Sequence, residues 1–311
     1  MRLFSLTLLL SLTLAGPLAA KECPPNAAPP TAEDMAQAQK DARDRGALWR
    51  LRKDGVQSYL YGTMHLGRAA WMVPGPKLRQ ALKETEVLAV EVDITAPTTQ
   101  AEMAAAQKEA APVVLQPGEK ARLDAQADAA CVPREALAQM HPVMQAVTYA
   151  ALAGRHANMH PGFSQEAMLL GAAQALKRPV VALESIGLQM SVLLPKDEAA
   201  ARRVFLMTLD SLERAGNIDT IRRLGKAWEE GDLSQLESLE TLCQCKPAED
   251  ERAFHTRLND GRNPHIAERI AAEHAKGKPL LAAVGLLHMS GTQALPKLLQ
   301  QRGFEVERVR Y

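Results

Sequence analysis

Residues 279–288 read PLLAAVGLLH, which places an apolar run, a glycine and a histidine in close succession. The stretch SYLYGTMH at residues 58–65 repeats this arrangement near the start of the chain. A glycine that ends a strand lets the backbone turn sharply, so the histidine three residues later projects beyond the strand's carboxyl end. In open α/β sheets, ligands and chemistry collect at that edge. The two stretches therefore predict strands that deliver His65 and His288 to a site.

Two further apolar runs end in carboxylates. They read VLAVEVD at residues 87–93, which contains Glu91, and PVVALE at residues 179–184, which closes with Glu184. Short, nearly continuous apolar runs are typical of strands buried on both faces. Both runs are therefore predicted to be buried strands.

The rest of the chain predicts a hairpin and many helices. Leu48–Arg52 and Gln57–Tyr61 are strand-like and are joined by Asp54-Gly55, a favourable hairpin turn, and a last strand is expected at 304–309. Helical spacing dominates between the strands. We therefore expect an α/β fold, with a mixed β-sheet flanked by helices and a large helical insert at about residues 98–176.

The amino terminus has the pattern of an export signal. Arg2 gives a positive start, Leu3–Leu14 is a short apolar core, and small residues precede Lys21. No other segment has the length and apolarity of a membrane helix. The predicted boundaries are a signal peptide at 1–20, a Pro-rich leader with an N-terminal helix at 21–46, and the α/β domain at 47–311. The protein is expected to be periplasmic or secreted.

Charge and cysteine content indicate which partners and which covalent cross-links to expect. Lys and Arg number 37 against 36 Asp and Glu, and a balanced chain gives no electrostatic footprint for nucleic acid or anionic membrane. The four cysteines, in an exported chain, predict two disulfides in one of three connectivities. A metal site at Cys243 and Cys245 is the alternative.

The four strand-end residues form the candidate site. Two histidines and two glutamates at carboxyl ends suit a divalent metal with an open position for water, and would equally serve metal-free acid–base chemistry. Either glutamate alone is also explained as a strand end that reaches water. Asp93, two residues beyond Glu91, would share its face of the strand, which weakens the argument for Glu91.

Arg262-Asn263-Pro264 is a further candidate segment. Asn263 is explained as a helix cap and Pro264 as a first helical residue. Arg262 remains, and near a substrate it would bind a carboxylate or a developing oxyanion. The six other histidines are expected to be surface or hydrogen-bonded structural residues, and the chain has no zincin helix, P-loop, G-x-G-x-x-G or G-x-S-x-G.

At these residues the chain resembles the TraB/GumN family, which is related to the Tiki proteins, over roughly Ala47 to Val309. The resemblance rests on segments that include LYGTMH at 60–65, VEVD at 90–93, ALE at 182–184, GRN at 261–263 and AVGLLHMSG at 283–291. It implies an α/β fold of the erythromycin-esterase-like and ChaN-like kind. It also implies divalent-metal-dependent proteolysis, as in Tiki members. Matched by position, the essential residues are His65, His288 and Glu91, with Glu184 and Arg262 in support.

The combined expectation is an exported metal-dependent hydrolase that acts as a peptidase on a peptide or protein substrate. His65, His288 and Glu91 would hold Mn²⁺, Co²⁺ or Zn²⁺, Glu184 would accept a proton from water on the metal, and Arg262 would stabilise the oxyanion. The alternatives are a non-catalytic haem- or metal-binding envelope protein and an accessory factor in polysaccharide export.

One departure from the family pattern concerns the segment GFSQE at residues 162–166. Family sequences often carry Gly-x-Asp here. If that aspartate contributes to the site, Gln165 would weaken metal binding unless Glu166 substitutes for it.

Overall fold

The computed structural model describes residues 23–26 and 28–311. The signal peptide predicted at 1–20 lies outside these residues. Within them, one sheet of six strands forms the centre of the fold. The strands are β1 (Ala47–Lys53), β2 (Val56–Thr63), β3 (Val87–Val90), β4 (Val180–Ala182), β5 (Leu280–Gly285) and β6 (Glu305–Arg308). Their order across the sheet is β4-β3-β5-β2-β1-β6. β4 is therefore a partly exposed edge strand, and the prediction that it is buried was wrong.

Helices fill the connections between these strands. They are α1 (Ala32–Lys40), α2 (Pro76–Glu84), α3 (Thr99–Glu109), α4 (Pro117–Ala130), α5 (Pro142–Ala153), α6 (Gln165–Ala175), α7 (Ile186–Leu193), α8 (Glu198–Glu213), α9 (Asn217–Glu230), α10 (Leu239–Cys243), α11 (Glu249–Leu258), α12 (Asn263–His274) and α13 (Leu295–Gln301). The predicted α/β class, a mixed sheet flanked by helices, is confirmed.

Strand direction decides where the site forms. β2 pairs with β5, β5 with β3 and β3 with β4, all in parallel, so the carboxyl ends of four adjacent strands meet at one edge. β1 pairs antiparallel with β2 across the predicted hairpin turn. Asp54 and Gly55 have φ values of 51° and 77°, the left-handed conformation that this turn requires.

Two separate apolar cores stabilise the chain. The first surrounds the sheet, whose central strand β5 is buried at all six positions, and includes residues of α6 and α12. The second joins helices on their own, for example Leu123 of α4, Val143 of α5 and Phe205 of α8. The helices between β3 and β4 are therefore divided, because α6 packs on the sheet while α4 and α5 pack with α8.

Several elements end at different residues in the structure than the sequence predicts. α1 ends at Lys40, five residues before the expected end near Arg45, and β3 ends at Val90 rather than continuing to Asp93. Asp93 is therefore not on the strand, and its Oδ1 instead accepts hydrogen bonds from the backbone and hydroxyl of Thr95. Glu91 and Asp93 therefore do not share a strand face, contrary to the prediction.

All four cysteines are paired. One disulfide joins Cys23 to Cys131 and the other joins Cys243 to Cys245, so the two predicted disulfides are confirmed and no thiol is free. The alternative of a metal site at Cys243 and Cys245 is wrong, because both sulfurs are bonded to each other. In the described part of the chain, no helix is long and apolar enough to cross a membrane.

Candidate functional site

Each of the four parallel strands delivers one predicted residue to the same edge of the sheet. Glu91 directly follows β3, His65 and Glu184 lie two residues beyond β2 and β4, and His288 lies in a short 3-10 turn after β5. Since the four strands are neighbours, the four side chains are brought together as the sequence pattern predicts.

Three of these side chains surround Gly285, the last residue of β5. A methyl group at this glycine would lie 3.1 Å from Glu91 Oε1, 3.6 Å from His288 Cδ2 and 3.7 Å from His65 Nε2. The backbone N–H of Gly285 also donates to Glu91 Oε1 at 2.7 Å. The glycine therefore provides the space in which both imidazoles and the carboxylate approach one another.

Arg262 joins the two carboxylates. Its Nη2 donates to Glu91 Oε2 at 2.5 Å and also contacts Glu184, while Nε lies 3.1 Å from both oxygens of Glu184. Nη1 donates to the carbonyl of Leu258. All three charged side chains are buried, and burial of charges is tolerated only when they are paired and hydrogen-bonded.

The pKa of Glu91 reflects these neighbours. Burial alone would raise it, but nearby His288, His65 and Arg262, together with the Gly285 N–H, outweigh burial and lower the pKa to about 2. Glu91 is therefore ionised throughout the physiological range.

Gln189 completes the carboxylate cluster and was missed in the sequence. Its Nε2 donates to Glu91 Oε2 at 3.1 Å and to Glu184 Oε2 at 3.3 Å. It lies on α7, whose sequence IGLQMSVL is otherwise apolar except for Ser191. A lone amide in an apolar helix that follows a site strand was the available signal.

Asn263 positions His288, a role that the sequence did not predict. Its Oδ1 lies 2.5 Å from His288 Nδ1, and its Nδ2 donates to the backbone oxygens of His288 and Gln293. The expected cap role is wrong, because Arg262 is the N-cap of α12 and Asn263 is already helical. The amide binds the His288 loop rather than the free N–H groups of its own helix.

His65 lies beside Glu166 of α6 at ion-pair distance. Its Nδ1 lies 3.1 Å from Glu166 Oε1. The Glu166 carboxylate raises the pKa of His65 above its ordinary value, although water screens this attraction because the side chain is 71% exposed. The neighbouring Gln165 is fully buried, and its Oε1 accepts a hydrogen bond from the backbone N–H of Met64 at 3.2 Å.

The side chains around Gly285 include residue types that can ligate metals. Both imidazoles turn Nδ1 toward an outer partner, and within the described residues neither Nε2 makes a hydrogen bond. Metal-binding histidines commonly have this arrangement, because a group behind the ring orients it. Nε2 of His288 lies 3.8 Å from Glu91 Oε2, too far for a hydrogen bond. Within the described residues, no three His, Cys, Asp or Glu side chains are already spaced to hold an ion. The residue types and their outer partners nevertheless fit a divalent cation.

Two other histidines, His274 and His141, have structural hydrogen bonds outside this cluster. His274 is buried and bonded to Ser58 Oγ at 2.9 Å and to the Lys53 carbonyl at 3.1 Å. His141 bonds to the Ala111 carbonyl at 2.9 Å. These contacts satisfy both side chains as structural residues.

A cavity of about 790 Å³ opens beside the carboxylate cluster. Its walls come from the loop after β3, the start of α3, the segment after β4 and the first turns of α12. Ionisable side chains among its lining residues are Asp93, Glu102, Glu184, Arg262, His265 and Arg269. A space of this size admits a ligand the size of a short peptide segment.

The fold and site together define a class of α/β protein in which histidines, glutamates and an arginine gather at the carboxyl ends of parallel strands. A sequence profile of the TraB/PrgY/gumN family matches residues 47–308, and the chain belongs to this family. A search of curated proteins gives no significant match, and neither does a search of solved structures.

Proposed function

We propose that the protein is a metal-dependent hydrolase, a peptidase whose site lies around Gly285. The observation that carries this proposal is the matched pair of imidazoles. His288 Nδ1 is hydrogen-bonded to Asn263 Oδ1, and His65 Nδ1 lies 3.1 Å from Glu166 Oε1, while neither Nε2 has a hydrogen-bond partner among the described residues. Two imidazoles beside an ionised carboxylate are donors that bind divalent metals.

In this proposal His65, His288 and Glu91 hold Mn²⁺, Co²⁺ or Zn²⁺. Such an ion, when bound, would polarise a substrate carbonyl and make water a stronger nucleophile at neutral pH. Glu91 contributes Oε2, while Gly285 N–H keeps Oε1 in place.

Arg262 is the proposed oxyanion stabiliser. Its contacts with Glu91, Glu184 and Leu258 use four of its five N–H groups, which leaves one on Nη1 without a partner among the described residues. Because Arg262 lines the cavity, that N–H is available to a substrate oxygen there.

Glu184 has two proposed roles that follow one another. It first anchors Arg262, since its side chain is fully buried and both of its oxygens accept from the guanidinium. The role of proton acceptor requires that one of these oxygens be released when Arg262 turns toward substrate. A Glu184→Gln variant separates the two roles, because the amide retains one acceptor for Arg262 but cannot take up a proton.

The proposed compartment is the periplasm or the exterior. Support comes from the signal-like first twenty residues and from the two disulfides, which form and persist in oxidising compartments. The proposed substrate is a peptide or protein, received by the cavity beside Arg262.

The test combines metal analysis with peptide cleavage. Purified protein is analysed for metal beside His65→Ala, and a peptide library is digested with and without EDTA. We expect bound divalent metal that the variant lacks, and cleavage that EDTA abolishes and added Mn²⁺, Co²⁺ or Zn²⁺ restores. A Soret band after haem titration, in a protein that cleaves no peptide, would instead identify a haem binder and overturn the proposal.

A further inference from the structure

The disulfide between Cys243 and Cys245 encloses a single residue and lies at the surface. Both cysteines are half-buried, and Gln244 between them is exposed. Gln244 has a φ of 52°, the left-handed conformation that turns the chain back so that the two cysteines meet. The bond is therefore reachable by a thiol in solution without any opening of the core.

The two sulfurs have different electrostatic surroundings. Arg214 Nη1 lies 3.7 Å from Cys245 Sγ, whereas Cys243 Sγ lies 3.9 Å from the backbone oxygen of Glu240. Buried Glu251 fixes the guanidinium by accepting hydrogen bonds at 3.0 and 2.6 Å. A cation beside a sulfur favours its thiolate form, so Cys245 is the better leaving group and Cys243 is the sulfur that an incoming thiolate attacks.

The fold depends little on this bond. The cysteines are separated by 2 positions in the sequence, against 108 for Cys23 and Cys131, and a short closed loop restricts the unfolded chain far less than a long one. The backbone is also held independently, because Arg223 donates to the carbonyls of Leu242 and Cys243 at 2.8 and 3.0 Å. Reduction of Cys243–Cys245 therefore leaves α10 in place.

We propose that Cys243–Cys245 is a redox-active disulfide that exchanges with thiols while the protein stays folded. A thiolate attacks Cys243 Sγ and forms a mixed disulfide, and the bond between the cysteines breaks to release the Cys245 thiolate beside Arg214. A second thiolate then attacks the sulfur of the bound thiol and releases Cys243. Two thiols are oxidised to one disulfide, the cysteine pair gains two electrons, and the two thiol protons end on the cysteines.

The test compares the two disulfides within one molecule. Oxidised full-length protein is equilibrated in glutathione buffers of graded potential and trapped with an alkylating agent, and mass spectrometry reports the reduced fraction of each pair. We expect Cys243–Cys245 to be reduced with an equilibrium constant more than tenfold larger than that of Cys23–Cys131, about 30 mV for a two-electron couple. Circular dichroism should show an unchanged fold when only this pair is reduced. Reduction of both pairs together, or of Cys243–Cys245 only in denaturant, overturns the proposal.

A variant pair tests the contribution of Arg214. The double variant Arg214→Gln/Glu251→Gln removes the cation without leaving a buried carboxylate unpaired, and Glu251→Gln alone is its control. We expect glutathione to open Cys243–Cys245 several-fold more slowly in the folded double variant than in the control, with Cys23–Cys131 unaffected. Equal rates in the two folded variants would show that Arg214 does not activate Cys245, and would overturn the assignment of the leaving group.

Discussion

The side-chain oxygen of Asn263 lies 2.5 Å from Nδ1 of His288, and this contact fixes which ring nitrogen carries the proton. The amide nitrogen of Asn263 already donates to the carbonyls of His288 and Gln293, so its oxygen must face the imidazole as an acceptor. Nδ1 is therefore protonated in the neutral ring, and Nε2 carries the lone pair. Burial lowers the pKa of His288 to about 4, which keeps this neutral form at physiological pH.

Replacement of Asn263 by Ala should therefore lower metal affinity, although Asn263 acts through His288 and is not itself a proposed metal ligand. The variant removes the acceptor for Nδ1, so the ring can rotate and change tautomer. Loss of such an outer partner typically lowers metal affinity about 10- to 100-fold. Isothermal titration with Mn²⁺, Co²⁺ and Zn²⁺ provides the measurement. Asn259→Ala is a suitable control, since Asn259 donates to the His255 carbonyl rather than to a site residue.

His65→Ala and His288→Ala should each abolish metal binding and cleavage to nearly the same extent. If both imidazoles hold one ion, the double variant should be little worse than either single one, because residues that act as a unit are strongly non-additive. Metal stoichiometry and cleavage rates are measured on all three proteins. His156→Ala is the control, since His156 is exposed and its ring contacts the Ala129 carbonyl rather than a site residue. Wild-type stoichiometry in well-folded forms of both single variants would contradict a shared site.

Removal of the two disulfides should have very different effects on the free energy of unfolding. The loop-closure relation gives about 5 kcal/mol for Cys23–Cys131, which spans 108 positions, and about 1.5 kcal/mol for Cys243–Cys245, which spans 2. Paired Cys→Ser variants are compared by urea unfolding. Arg155 also holds the leader through the carbonyls of Pro24 and Pro25, so part of the leader contact should survive in the first variant. Equal losses in the two variants would contradict the expectation.

The strand-end residues were predictable because they depend on local patterns and on one general rule. An apolar run followed by a glycine gave the ends of β2 and β5, and the rule that parallel strands end together placed His65, His288 and Glu91 at one edge. Their outer partners were not predictable in this way. Gln189, Asn263 and Glu166 lie on helices, and their contacts depend on how α7, α12 and α6 pack against the sheet.

Asn263 shows why a prediction from a local sequence pattern can be wrong. An asparagine before a proline at the start of a helix fits the cap pattern well. In the structure the helix begins one residue earlier, and tertiary contacts with the His288 loop use all the hydrogen bonds that the amide can donate. Similarly, the sequence predicts Arg262 as a cation near the site. Its hydrogen bonds to both Glu91 and Glu184 could not be predicted, because they depend on how three separate segments are positioned in the fold.

The pH dependence of stability should report the buried His288. Its pKa is about 4 in the folded protein and 6.5 in the unfolded chain, so the unfolded state binds more protons between these values. The contribution is complete above pH 6.5 and is lost as the pH falls toward 4. Between pH 7.5 and pH 5 the loss is about 2 kcal/mol.

This contribution is isolated by comparison with His288→Gln in metal-free buffer. Other titrating groups, including His65 with its opposite shift, are present in both proteins and largely cancel. Urea unfolding at pH 7.5 and pH 5 should show the wild type losing about 2 kcal/mol more than the variant. Parallel pH profiles for the two proteins would show that His288 does not have a lowered pKa.

Gly285→Ala tests whether the space at the end of β5 is required by the site or only by the strand. The added methyl would lie 3.1 Å from Glu91 Oε1 and would also contact the rings of His65 and His288. Gly285 has a φ of −49°, which alanine adopts freely, so the backbone itself does not oppose the change. Glu91 must move by a few tenths of an ångström, and it cannot do so without disturbing Arg262, to which Oε2 is bonded at 2.5 Å.

We therefore expect Gly285→Ala to fold but to lose metal affinity and cleavage by at least tenfold, since displaced ligands bind poorly. Gly171→Ala is the matched control, because it makes the same substitution in α6 with nothing within 4 Å of the new methyl. The control should retain activity and be as stable as the wild type or slightly more so, because alanine favours helix over glycine by about 1 kcal/mol. Metal titration, peptide cleavage and urea unfolding are measured on both. If Gly285→Ala retains wild-type affinity and turnover, the imidazoles and Glu91 do not act together around this glycine.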